Sequence, residues 1–316
     1  ANAVEQAAGM FDEGAEIRFD ASGIATIFSG VHSHGQGHAT VFRQLVSERL
    51  GLDMESIRFV QGDTDKVAYG HGTGGSRASG LASTALYYAA DRIIEKGKLI
   101  AAHLLEAAVE DVEFEAGQFA IAGTDRAVDL AAVAKTAHTV RGLPADMDSG
   151  FSAFATFTPP GPTYPNACHT CEVEIDPETG VLQFINYCAV EDVGTVMNPM
   201  LLKGQLHGGI VQGLGQVVCE EMVFDDDAQL MSGSLMDYAL PRADHMPAMA
   251  IESNPVPTQK NPLGIKGVGE AGTVGALAAA MSAVHDALAP LGIDAVPMPA
   301  TAHNLWRLIR KAKTNS

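Results

Sequence analysis

The stretch that decides the fold is Lys266-Gly267-Val268-Gly269-Glu270-Ala271-Gly272, which a run of small residues follows up to Met281. Glycines on both sides of one carboxylate allow the backbone to approach another group closely. The residues behind it have helical spacing, with apolar side chains at Val274, Leu277, Met281 and Val284. The stretch therefore predicts that Glu270 lies at a helix N-terminus, where free N–H groups stabilise an ionised carboxylate that can act as a base.

Two other interpretations of this stretch stay open at this point. Glu270 could be a helix cap or a first-turn acid with no chemical role. The glycines also fit the dinucleotide pattern G-x-G-x-x-G. That fit is weak, because the preceding segment Asn254–Gly264 contains three prolines and no acid ends a strand about 20 residues further on.

Composition and charge exclude several classes of protein. The chain has 316 residues, of which 47% are hydrophobic, and a formal net charge of -18 with a pI near 4.9. This content is enough for one large core or two medium ones. The acidity argues against binding nucleic acid or an anionic membrane surface. No uncharged apolar stretch reaches the length of a membrane span without interruption, so we expect a globular cytoplasmic protein.

The four cysteines do not form a recognisable metal motif. Cys168 and Cys171 make one C-x-x-C pair, but no second pair stands at ligand spacing. Cys188 and Cys219 lie singly in apolar stretches. We expect buried or half-buried free thiols in a reducing cytoplasm, and no metal ligands.

The first half begins with a predicted β-hairpin over residues 15–30, which leads into a histidine- and glycine-rich loop. His32, His34 and His38 suggest a metal site, but no carboxylate or cysteine joins them and the glycines would make a slack cage. We favour a loop in which Gln36 and the bare N–H groups around Gly37 bind an anion or a heterocycle at a helix start.

A second glycine loop, Gly70–Gly80, follows a short strand and precedes a long helix predicted over residues 81–106. Glycines, hydroxyls and one arginine before a helix are typical of a phosphate site, with Arg77 as the charged clamp. Lysine is absent where a Walker loop requires it. The alternative is an ordinary flexible loop.

The second half repeats this plan. Strands are predicted over Ala167–Ile175 and Val181–Val190, joined by a Pro- and Gly-containing turn. A helix then follows Asn198-Pro199, with glycines at positions 204, 208, 209, 213 and 215. We expect these glycines to share one side that something approaches closely, together with Gln205 and Gln212, whose amides can both donate and accept.

Four motifs in order resemble the C-terminal molybdenum-cofactor domain of the xanthine dehydrogenase and aldehyde oxidase family, and most of all the large subunit of its carbon-monoxide-dehydrogenase-like branch. They are the loop Gly35-Gln36-Gly37-His38-Ala39-Thr40, the loop Gly72-Thr73-Gly74-Gly75-Ser76-Arg77, the pattern from Asp192 through Asn198-Pro199 to Gly204-Gln205 and Gln212-Gly213, and Lys266-x-Val-Gly-Glu270. Together they span nearly the whole chain.

The resemblance implies particular roles for these residues. Glu270 is then the active-site base, which deprotonates a hydroxide bound to molybdenum for attack on an electron-poor carbon. The cofactor would be a molybdopterin, in the cytosine dinucleotide form that is common in bacteria. Its binding residues would be Gln36, Gly37, His38, Gly72, Thr73, Gly74, Gly75, Ser76, Arg77, Ser79, Gln205 and Gly269.

The family's other parts are missing from this sequence. The resemblance implies partners that carry the N-terminal half of the large subunit, the iron–sulfur clusters and the FAD. It therefore implies either a cut-out domain or one half of a split large subunit, inactive as this chain alone.

These observations predict an α+β fold of two similar subdomains, each a small mixed sheet with helices, with the cofactor site between them. The predicted boundaries are residues 1–145 for the first subdomain, 146–163 for a crossover linker and 164–316 for the second. The predicted function is oxidative hydroxylation of an aldehyde, an N-heterocycle or a CO-like substrate with water as oxygen source. The alternative is a non-catalytic module that binds a nucleotide or phosphate through its glycine loops.

Overall fold

The computed structural model describes residues 1–7, 11–144 and 147–315. Within them the strands are β1 (Asn2–Val4), β2 (Glu13–Phe19), β3 (Ala25–Ser29), β4 (Ile57–Gln61), β5 (Val112–Glu115), β6 (Gln118–Ile121), β7 (Ala127–Asp129), β8 (Phe151–Phe157), β9 (Asn166–Ile175), β10 (Leu182–Asp192) and β11 (Met249–Ser253). The α-helices are α1 (His38–Leu50), α2 (Ala78–Leu105), α3 (Leu130–Ala137), α4 (Pro199–Val218), α5 (Ala271–Leu288) and α6 (Ala302–Asn315).

The chain divides into two compact units. We call Ala8–Thr163 with Thr258–Ile265 the N-terminal unit, and Ala1–Ala7 with Tyr164–Pro257 and Lys266–Ser316 the C-terminal unit. The chain therefore passes between the units more than once.

The N-terminal unit is built on a four-stranded mixed sheet in the order β4-β3-β2-β8. β2 pairs antiparallel with β3 and β8, and β3 pairs parallel with β4. Alternate residues of β2 and β3, including Ile17, Phe19 and Ile27, are buried, and the long helix α2 packs on this sheet. A smaller sheet, β5-β6-β7, lies in the same unit.

The C-terminal unit repeats the mixed arrangement with the order β1-β9-β10-β11, in which only β10 and β11 are parallel. One face of its sheet carries α5, which packs on β9 and α4. The core there includes Tyr187, Ile210, Leu214 and Ala280. By length and composition the segment Ala271–Leu291 could cross a membrane; within this unit α5 packs on α4 and β9.

The predicted α+β class with two small mixed sheets is confirmed, whereas the predicted boundaries differ from the two units. The segment predicted as a linker contains β8, which pairs with β2 along its full length. Its prolines suggested a crossover, although Phe151 and Ala155 alternate as buried strand residues. Residues 2–4 pair with β9 and so join the C-terminal unit. The boundary placed at Ala145 and Asp146 lies outside the described residues.

Two smaller predictions also need correction. The five glycines of α4 do not share one contact surface, because Gly204 and Gly208 face open space while Gly209 and Gly213 contact α5. The four cysteines are free thiols as expected, but Cys168 and Cys188 are exposed instead of buried.

Candidate cofactor-binding site

The first predicted loop, between β3 and α1, is held by hydrogen bonds among its own side chains. The Gln36 amide oxygen accepts from the backbone N–H of His34, and its nitrogen lies 3.2 Å from Nδ1 of the same histidine. Gly37, with a φ of 79°, is the N-cap of α1 and provides no side-chain cap. The first N–H groups of α1 are therefore left without a side-chain acceptor, as in anion-binding helix starts.

His38 opens α1 as a neutral side chain. Its ring is buried and stacks on Phe42, with 5.3 Å between centroids. Burial, with added repulsion from His34 and His32, lowers the pKa of His38 to about 4. Its Nδ1 is buried without a hydrogen-bond partner among the described residues. His38 therefore offers a nitrogen that can donate or accept, not a positive charge.

The second predicted loop leads into α2 and presents an open backbone. A Cβ built at Gly72, Gly74 or Gly75 would meet no other atom within 4 Å. Gly72, Gly75 and Ser76 have positive φ angles of 74°, 57° and 51°. Such a backbone, with small side chains and its N–H groups near a helix start, forms a concave surface suited to an anion.

Thr73 joins the two loops. Its hydroxyl donates to the carbonyl oxygen of His32 at 2.6 Å and accepts from the His32 N–H at 2.9 Å. The structure therefore brings together the two stretches that the sequence singled out independently in the first half of the chain.

The burial and hydrogen bonding of Arg77 indicate whether this surface fits an anionic cofactor. The guanidinium is buried, and one nitrogen donates to the carbonyl oxygen of Gly72 at 2.5 Å. Its Nε and second terminal nitrogen are buried without partners among the described residues. The Phe11 ring lies 4.8 Å from the guanidinium carbon and the Glu13 carboxylate interacts with its charge, but buried N–H donors without an acceptor remain costly until an anion binds them. The loop therefore fits the phosphate groups of a large cofactor.

Glu13 is a residue of this site that the sequence analysis missed. It is fully buried at the start of β2, and its two oxygens accept from the N–H groups of Gly14 at 3.1 Å and His71 at 3.2 Å. Burial raises the pKa of Glu13, against the opposing effects of these hydrogen bonds and of Arg77. The sequence feature that could have identified Glu13 is a glutamate at an inward-facing position of an alternating strand.

In the C-terminal unit, Gln205 and Glu270 lie on neighbouring helices. Gln205 is half-buried on α4, which packs closely on α5. Gln212 reaches α5 through Thr273, whose hydroxyl lies 3.4 Å from the amide oxygen of Gln212. The same hydroxyl donates to the carbonyl oxygen of Gly209 at 2.9 Å.

Glu270 occupies the N-cap position of α5, directly after the exposed Gly269. Its backbone oxygen accepts from Thr273 and Val274 at 3.0 and 3.1 Å. Its side chain is exposed and makes no capping hydrogen bond. The helix start is therefore where the sequence placed it, while the carboxylate is not used to cap the helix.

A metal site built from side chains alone is absent from the described part of the chain. There, no group of three or more His, Cys, Asp and Glu side chains is placed to hold a metal ion. His32 and His34 contact each other, with 3.1 Å between ring nitrogens.

The fold and these loops define a cofactor-binding domain, and comparison with known proteins gives its family. The family profile "Molybdopterin cofactor-binding domain" matches residues 2–247. The chain belongs to this molybdopterin cofactor-binding domain family.

Individual relatives match over nearly the whole chain. It is 36% identical over 304 residues to the carbon monoxide dehydrogenase large chain of Hydrogenophaga pseudoflava, covering 96% of this chain and 38% of that protein. It is 35% identical over 300 residues to the nicotine 6-hydroxylase large subunit of Paenarthrobacter nicotinovorans, covering 94% of this chain and 37% of that protein. The chain thus spans well under half the length of these relatives.

Solved structures agree with this assignment. The fold matches the Cu,Mo-CO dehydrogenase in its carbon monoxide reduced state with a TM-score of 0.90 and 31% identity, over 100% of this chain and 41% of that one. It matches quinoline 2-oxidoreductase from Pseudomonas putida 86 with a TM-score of 0.87 and 34% identity, over 98% of this chain and 42% of that one.

Proposed function

We propose that this chain is the C-terminal, cofactor-binding part of the large subunit of a molybdenum hydroxylase. The observation that carries the proposal is Arg77, a buried guanidinium beside an open glycine loop, with two nitrogens that have no hydrogen-bond partner in the described part of the chain. The reaction is the oxidative hydroxylation of an aldehyde, an N-heterocycle or a CO-like substrate, with water as the oxygen source. The names of the relatives, which include carbon monoxide dehydrogenase, nicotine hydroxylase and quinoline oxidoreductase, support this range.

The cofactor is proposed to be a molybdopterin, in its cytosine dinucleotide form. When bound, the molybdenum centre supplies the two-electron oxidation. The residues that would hold the cofactor are Gln36, Gly37, His38, Gly72, Thr73, Gly74, Gly75, Ser76, Arg77, Ser79, Gln205 and Gly269. Arg77 and the loop backbone bind its phosphates, because both offer N–H donors in a concave, partly buried setting.

Glu270 is proposed as the base. Its exposed carboxylate stands at the N-terminus of α5, directly after Gly269, where a carboxylate oxygen can accept a proton. The proton it takes at a carboxylate oxygen comes from the water-derived nucleophile. The alternative is a phosphate-binding module in which Glu270 only begins the helix; the turnover of Glu270→Gln separates the two.

The proposed partners are the remaining part of the large subunit, an iron–sulfur subunit and an FAD subunit. The C-terminal unit exposes an apolar segment after α4, which we call the 222–240 segment. Its exposed side chains are Met222, Val223, Phe224, Met231, Leu235, Met236 and Leu240, and Met236 is 93% exposed. So many exposed apolar side chains in one short segment are unusual on a monomer and indicate a covered surface in the assembled protein.

The proposal is tested by measuring molybdenum in the chain purified alone and in the chain co-purified with the products of neighbouring reading frames. Molybdenum near one per chain in the complex supports the function. No molybdenum in either preparation overturns it.

Two variants of the complex then test the residues. Arg77→Met should lower molybdenum content by about 10- to 100-fold, because a charge-assisted hydrogen bond contributes about 1.5–3 kcal/mol. Arg58→Met, which removes an exposed arginine of β4, should leave it unchanged. Glu270→Gln should lower turnover by about 10²- to 10⁴-fold with molybdenum content unchanged. Full turnover in Glu270→Gln, with only a loss of stability of about 1 kcal/mol, would show a cap and not a base.

A further inference from the structure

We infer that Asp192 and Lys266 are positioning residues for Glu270, because their buried ion pair holds the segment that places this carboxylate at the start of α5. The inference rests on the proposed role of Glu270 as the base.

Asp192, the last residue of β10, joins four separate segments of the C-terminal unit. Its Oδ1 accepts from the N–H groups of Gly194 at 2.9 Å and Val256 at 3.0 Å. Its Oδ2 accepts from the side-chain amide of Asn166 at 3.2 Å and from Nζ of Lys266 at 2.5 Å. One carboxylate therefore ties the start of β9, the turn after β10, the chain beyond β11 and the segment that leads to α5.

The charges of this pair are well shielded from solvent. The side chains of Lys266 and Asp192 are only 11% and 8% exposed. Burial opposes ionisation of Asp192, yet the hydrogen bonds from Lys266, Gly194 and Val256 together lower its pKa. Removing one partner of a buried pair leaves an uncompensated charge, which costs far more than losing a surface pair.

Lys266 is fixed by its backbone as well as by its side chain. Its N–H donates to the carbonyl oxygen of Val193, next to Asp192, at 2.9 Å. Two residues later, Val268 packs on a buried cluster that includes Val193, Leu206 and Ala271. The segment is thus anchored four residues before Glu270 and again immediately after it.

These anchors matter because two glycines lie between Lys266 and Glu270. Gly267 and Gly269 give the backbone more freedom than other residues would. With Lys266 released, that freedom would let Glu270 move. Proton transfer requires hydrogen-bond reach, and a displacement of about 1 Å can reduce a rate by about 100-fold.

The test uses Asp192→Asn, Lys266→Met and the double variant in the assembled enzyme, with Lys266→Arg as the conservative change. The single variants should lower kcat by about 10- to 100-fold with KM within about 2-fold and with molybdenum content unchanged. The double variant removes both charges, so it should fold stably yet keep the low kcat. Lys266→Arg should recover most of the loss. Glu178→Gln, which breaks the exposed pair with Lys313 (2.7 Å) in the same unit, should leave kcat, KM and molybdenum content unchanged.

Hydrogen exchange of the 316-residue chain gives a readout that does not depend on activity. Amides of residues 266–275 should exchange faster in Lys266→Met than in the unmodified chain, while those of β2 and β3 should not change. Wild-type kcat and exchange in Lys266→Met and in the double variant would overturn the inference. So would a fall in kcat that only parallels loss of molybdenum, since this shows a purely structural role. Wild-type turnover in Glu270→Gln would instead overturn the proposed base, whatever the exchange data show.

Discussion

Gly272 of α5 lies against the main-chain oxygen of Leu206 in α4, so closely that a Cβ at position 272 would stand 2.6 Å from that oxygen. Gly213 makes a similar approach from α4, where a Cβ would lie 2.7 Å from the Cβ of Ala276. A backbone oxygen cannot turn aside as a flexible side chain can. Glycine at these positions is therefore what allows the two helices that carry Gln205 and Glu270 to pack at this distance.

Gly272→Ala should destabilise the C-terminal unit by about 1–3 kcal/mol, because the added methyl forces the helices apart. The matched control is Gly204→Ala on α4, where a Cβ meets nothing within 4 Å. There the change should stabilise by up to about 1 kcal/mol, since alanine favours a helix more than glycine does. Urea unfolding followed by circular dichroism measures both. Equal effects of the two substitutions would show that close packing is not what requires Gly272.

Lowering the pH through the titration range of His38 should destabilise the folded chain. Its pKa is about 4 in the folded chain against an ordinary 6.5, so the unfolded chain binds more protons between these values. The free energy of unfolding should therefore decrease as pH falls from 6.5 towards 4, and this residue should have no effect above that window.

Urea midpoints measured at intervals from pH 4 to 7 check this expectation. His38→Gln should make the slope shallower, because it removes the group that gains a proton only on unfolding. His103→Gln, at an exposed position of α2, should keep the slope of the unmodified chain. A slope that is unchanged in His38→Gln would contradict the assignment.

Thr73→Val should loosen the loops that precede α1 and α2, because it removes both hydrogen bonds between the hydroxyl and the His32 backbone. Two such bonds contribute about 1–2 kcal/mol in total, so molybdenum retention by the complex should fall by roughly 10-fold. Thr73→Ser keeps the hydroxyl and should behave like the unmodified protein. Hydrogen exchange of residues 70–77 should also be faster in Thr73→Val. Unchanged exchange in that variant would argue against a link between the loops.

Charged residues in the 222–240 segment should weaken assembly without unfolding the chain. Leu235 and Met236 are 78% and 93% exposed, so Leu235→Asp or Met236→Lys removes no core contact. Association with the proposed remaining part of the large subunit should weaken by about 10-fold or more, as when an apolar interface residue is lost. Val140→Asp, a change at a 73% exposed position of the other unit, serves as the control. Co-elution on size exclusion measures the effect, and full co-elution of both variants would place the interface elsewhere.

Much of the fold could be predicted from local sequence patterns. The hairpin of β2 and β3, the helices after each glycine loop and the start of α5 at Glu270 follow from alternation, helical spacing and glycine placement, which depend on near neighbours along the chain. The strand β8 was missed, because prolines and glycines on both sides of Phe151–Phe157 concealed a short alternating pattern. Strand β1 gave too little signal, since three residues form a strand only through pairing with β9.

The sequence by itself determined which residues are candidates for the chemistry: a glutamate flanked by glycines, two glycine loops before helices, and amide side chains on a glycine-rich helix. Only the tertiary structure decided how they are used. It buried Arg77 with donors that no described residue accepts from, joined Thr73 to His32, and tied Asp192 to Lys266 across 74 positions of sequence. The physical reason is that burial and hydrogen bonding between distant segments depend on the packing of whole elements, which no local pattern of residues specifies.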